Sequence, residues 1–171
     1  LQLAQGAGNL DLTTIGNAGA MGLEENSRIE SIERIAMGID TAINTLTLAA
    51  RDVKDMAGFN LIHTGCVSSY GNTWTKVTGT ALSATTKFHQ LVVDGDVNDK
   101  VTLSTDLGFW TNAGTVNSGV ANYIVYQNTG NNSQVFVRVG VVVTNNDSVA
   151  PVVLDLNQDG QIDYSQVTMD V

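Results

Sequence analysis

Asn44-Thr45-Leu46-Thr47-Leu48 is the stretch whose alternation decides the fold. Two leucines exchange with two threonines, a period of two that sets apolar side chains on one face of a strand and hydroxyls on the other. The β-branched threonines suit a pleated, half-buried surface. On the N-terminal side, short apolar runs recur at Asn9 to Ile15 and Arg28 to Ala36, and Gly and Asn turns separate them at roughly even intervals. Together with Asn44 to Ala50 they predict stacked coils of a parallel β-solenoid, or β-roll, over the N-terminal part. Ile29, Ile32 and Ile35 are spaced by three, which leaves a corner within a strand or a short helix in its place.

From Arg51 to Met56 only Val53 is β-branched and Gly58 follows, so one or two helical turns are expected there, with a sub-boundary near residue 58. Beyond Phe59 the strand-like runs are Asn60 to His63, Thr73 to Thr78, Lys87 to Val93, Lys100 to Ser104, Tyr123 to Gln127, Gln134 to Val139 and Val141 to Thr144. Their turns fall at Gly71, Gly79, Asp94-Gly95, Gly130 and Gly140, and antiparallel pairing is expected. Gly140, near the centre of Arg138 to Val143, suits a tight hairpin or a bulge. The fold class is therefore all-β with at most a short helix. Polar residues from Asn145 to Val149 precede the lone Pro151, which divides a β-rich module over 1–145 from a linker and loop over 146–171.

Composition narrows the function. Of 171 residues, 43% are apolar and 15% charged, which fits a folded body. Eight basic against 17 acidic residues give a net charge of −9. No Lys or Arg cluster exists to displace counterions from a phosphate backbone, so nucleic acid is not an expected partner. No apolar run approaches the roughly 18 to 20 residues that span a bilayer, so membrane insertion is not expected either. Cys66 is the sole cysteine, and rigidity beyond packing must come from a source other than an internal disulfide. Leu1 opens the chain without a basic, apolar leader, as an internal segment of a larger exported parent would.

The segment richest in chemistry is Asp155-Leu156-Asn157-Gln158-Asp159-Gly160-Gln161-Ile162-Asp163. A calcium ion needs about six to eight oxygens around one point. Alternate positions let Asp155, Asn157 and Asp159 face inward, the Gln161 carbonyl and Asp163 complete the arc, and Gly160 permits the sharp turn. Gln166 stands at the twelfth position, where a full helix-loop-helix hand requires a bidentate Glu, so a closing ligand must come from Asp170 or the body. A plain Asx-rich turn is the competing reading. Val167-Thr168-Met169-Asp170-Val171 echoes the apolar lead-in at Pro151 to Leu156, as if a second such loop began at Asp170.

A weaker cation candidate is Asp94, Asp96 and Asp99, with a solvated β-turn as the alternative. Asp52, Asp55, Glu24 and Glu25 read as surface charge. His63, Cys66 and His89 are too few for a structural zinc site, and no catalytic signature accompanies them, so an enzyme is not expected. Trp74, Trp110 and Tyr126, with Tyr70 and Tyr123, would stack on sugar rings if they shared an exposed face, or else pack the core.

A family resemblance rests on Arg28 to Ile35, Asn44 to Leu48, Asp52-Val53, Leu91-Val92-Val93-Asp94-Gly95-Asp96, Asp99-Lys100-Val101, a Trp, and the Tyr-x-x-Tyr at Tyr123 and Tyr126. Residues 1 to 144 resemble the module found towards the C-terminal region of very large bacterial adhesins and RTX-type proteins exported by type I secretion. Ala36 to Ile43 departs from the pattern, since members tend to carry an Asp and a Gly/Asn-rich turn there. Pro151 to Gly160 is similar to the opening of calcium-dependent RTX modules. Some of those self-cleave at an Asp-Pro bond, and Ala150-Pro151 lacks the attacking carboxyl. The resemblance implies an extracellular, cell-surface location, with calcium ions and neighbouring modules of the parent as partners. Surface glycan, or a host or abiotic surface, is a further implied partner. The expected function is a calcium-stabilised structural and adhesive module; the alternative is a carbohydrate-binding accessory domain of a secreted protein.

Overall fold

The computed structural model describes residues 1–3, 6–15, 29, 31–38, 40–58, 62–63, 73–82, 85–106, 108–128 and 130–145. Its regular structure is mainly β, in two sheets. The strands are β1 (Asn9–Asp11), β2 (Arg34–Ala36), β3 (Thr45–Ala49), β4 (Thr75–Lys76), β5 (His89–Asp94), β6 (Lys100–Ser104), β7 (Trp110–Asn117), β8 (Asn122–Asn128), β9 (Ser133–Arg138) and β10 (Val142–Asn145). A seven-residue helix, α1 (Ala50–Met56), follows β3 directly, and a 3-10 turn over Leu12–Thr14 follows β1.

The smaller sheet has the order β1-β3-β6-β10 and is parallel throughout. One register row runs Asn9, Thr45, Lys100, Val142, and the next runs Leu10, Leu46, Val101, Val143. The alternation of the opening stretch is realised here. Leu46, Leu48, Val101 and Leu103 are buried in the core, while Thr45, Thr47, Thr102 and Ser104 are half-buried on the opposite face.

The larger sheet has the order β2-β5-β9-β8-β7-β4. β2, β5 and β9 are parallel, and β8, β7 and β4 continue antiparallel from β9. All six residues of β5 and the first five of β9 are buried, because this sheet is covered on both faces. Leu91, Val93, Val135 and Val137 face the core shared with the smaller sheet. Val92, Phe136, Val125 and Tyr123 face a second cluster that Ile62, Trp74, Ala81 and Leu82 close from outside. Strands buried on both faces read as continuous apolar runs, as Leu91-Val92-Val93 and Val135-Phe136-Val137 do.

Two expectations need correction. Antiparallel pairing after residue 58 is found in β4, β7 and β8 and where β8 meets β9, but parallel pairing continues beside it, since β5, β6, β9 and β10 all pair in parallel with earlier strands. The segments before and after residue 58 therefore share both sheets. Nor does Gly140 close a hairpin: β9 and β10 lie in different sheets, and Gly140, with φ +113°, turns the corner between them. β7 went unanticipated because Thr111, Asn112, Gly114, Thr115 and Asn117 give it no apolar alternation. Its place comes from antiparallel pairing with β8, with a bulge between Asn112 and Gly114.

Candidate functional site

β5 ends at Asp94 and β6 begins at Lys100, so the acidic segment forms the short turn that carries the chain from the larger sheet to the smaller. Its three carboxylates take separate roles. Asp94 Oδ1 accepts the Tyr123 hydroxyl at 2.7 Å, and Asp94 Oδ2 pairs with Arg34 Nε. Asp96 Oδ1 accepts the Asn98 amide at 2.8 Å, an Asx turn that shapes the bend. Asp99, 1% exposed, reaches inward: Oδ1 accepts the Asn44 backbone amide at 3.1 Å and its Nδ2 at 3.2 Å, and Oδ2 accepts the Asp96 amide at 2.9 Å. This ties the turn before β3 to the turn before β6. Among the described residues no group of three His, Cys, Asp or Glu is gathered to hold a metal. Within the turn, Asp96 Oδ1 and Asp99 Oδ2 accept its own N–H groups, as the side chains of an Asx-rich turn do.

Burial raises the Tyr123 hydroxyl to about 12, and its bond to Asp94 adds to the effect. Tyr123 is 2% exposed and meets Trp74 at a tilt of 51° with ring centroids 5.1 Å apart, and Trp74 also meets Phe136 edge-on at 5.6 Å. Trp74 therefore belongs to the outer cluster. Trp110 belongs to the inner core, where its Nε1 donates to the Ser104 carbonyl at 3.0 Å. Tyr126 is half-buried against that same core, and desolvation raises its hydroxyl. Trp74, Trp110 and Tyr126 are thus divided between two clusters and build no common exposed platform for sugar stacking; their apolar rings stabilise more by leaving water.

Asp52 is not surface charge. It is buried on α1, its Oδ2 accepts the Ala49 amide at 2.7 Å, and burial raises its carboxyl above the usual range. Asp106 completes the helix start from the segment after β6, accepting the Ala50 amide at 3.0 Å and the Arg51 amide at 3.1 Å. No local pattern could announce that partnership across 55 residues. His89 is buried at the start of β5 with Nδ1 3.0 Å from the Ala57 carbonyl, and desolvation lowers its pKa. His63 is half-buried.

Sequence also failed to flag a glutamine ladder. Gln90 and Gln134 are paired in register on β5 and β9, and both are buried. Gln90 Oε1 accepts the Ile62 amide and its Nε2 donates to the Ile62 carbonyl, each at 2.7 Å; Nε2 also donates to Gln134 Oε1 at 3.0 Å. Gln134 Nε2 in turn donates to the Ala81 carbonyl and to Gln127 Oε1, each at 3.2 Å. The ladder clamps the covering segment to the sheet.

Asp155, Asn157, Asp159, Gln161, Asp163 and Asp170, the principal metal candidates, lie outside the described residues, as do Tyr70 and Cys66. Comparison with family models, curated proteins and solved structures finds no match to the chain.

Proposed function

We propose that the chain is a calcium-stabilised structural and adhesive module of a large bacterial surface protein, acting outside the cell, with its parallel strands as the coils of a short solenoid. The pairings support the coil reading. β2 and β3, β5 and β6, and β9 and β10 each place one strand in either sheet, joined by a turn, and each pair lies in parallel beside the one before it. α1 and the β7–β8 hairpin are excursions between coils. The resemblance to RTX-type adhesin modules points the same way.

The observation that carries the calcium role is the placement of Asp155, Asn157, Asp159, Gly160 and Asp163 at the spacing an oxygen-ligated loop needs. Calcium entering this loop outside the cell would stiffen the junction with a neighbouring module. Calorimetric titration and thermal melts of the whole chain test it. Binding to the native state alone adds about 2.7 kcal/mol at a free calcium level of 100 Kd. The midpoint should rise at millimolar calcium but not at matched magnesium, and the rise should vanish in the Asp155→Asn/Asp159→Asn variant. A midpoint indifferent to calcium overturns the proposal.

A further inference from the structure

We draw no further inference here: the strongest candidate, the acidic pair Asp96 and Asp99 with Asn44 at the turns between the two sheets, is an acidic cluster whose one buried atom without a hydrogen-bond partner, Asn44 Oδ1, lies beside Gly8 while Nδ2 of the same side chain serves Asp99, so nothing there points to a ligand.

Discussion

Gly79 and Gly114 meet where the segment from Val77 to Thr80 crosses β7. The Val77 and Thr78 amides donate to the Thr115 carbonyl, and the Thr80 amide donates to the Ala113 carbonyl. A Cβ on Gly79 would stand 2.1 Å from the Ala113 carbonyl oxygen, and one on Gly114 would stand 2.2 Å from that of Thr78. Both residues also have positive φ, +70° and +124°. Either Gly79→Ala or Gly114→Ala should therefore cost at least about 1–3 kcal/mol, read as a lower urea midpoint; an unchanged midpoint would show that the crossing opens freely. The sequence marks Gly79 as a turn, but the chain it touches is invisible from its neighbours. Tyr123 offers a pH test. Its hydroxyl ionises near 10 when unfolded and near 12 when folded, so the native state holds the proton more tightly. That contribution is complete below pH 10 and disappears as pH climbs towards 12. Denaturation midpoints should fall across this window, and less steeply in Tyr123→Phe.

Elements here are secured by partners distant in sequence. α1 has Ala49 at its N-cap, a residue unable to cap, so Asp106 and Asp52 supply the acceptors for the Ala49, Ala50 and Arg51 amides. Asp106→Ala should lower stability by about 0.5–2 kcal/mol in urea titration, and Asp106→Asn should recover part of the loss by keeping an acceptor. Gln90→Leu removes the side-chain partners of the Ile62 amide and carbonyl at a buried site, at a cost of about 1–3 kcal/mol for each group left unsatisfied. Faster amide exchange at Ile62 would report the loss, and unchanged exchange would refute the clamp. The strand β3 was legible because its side chains declare their own period, and the helix after it because Arg51 to Met56 has only Val53 as a β-branched residue and Gly58 follows. β7 was not, since its order is imposed by β8. The turn at Gly140 misled because the run from Arg138 to Val143 has the form of a hairpin, and only the second sheet explains why the chain leaves its neighbour. At the candidate site, the Asx turn at Asp96 could be read locally, whereas the inward reach of Asp99 to Asn44 required the parallel register.

The molecule as a whole depends on contacts between remote segments. Rows such as Asn9, Thr45, Lys100 and Val142 join residues separated by about 36 to 55 positions. Folds dominated by such pairings gain their stabilising contacts only after costly loop closure and form on the millisecond to second scale. Refolding followed by fluorescence of the buried Trp74 and Trp110 should fall in that range; completion within microseconds would mean that local structure dominates. β9 gives this a directional meaning. It is the strand against which parallel β5 and antiparallel β8 both lie, so the larger sheet stays divided between β5 and β8 until residues 133–138 arrive. Until then β5 and β8 each present one unpaired edge, the kind of template on which another chain can add.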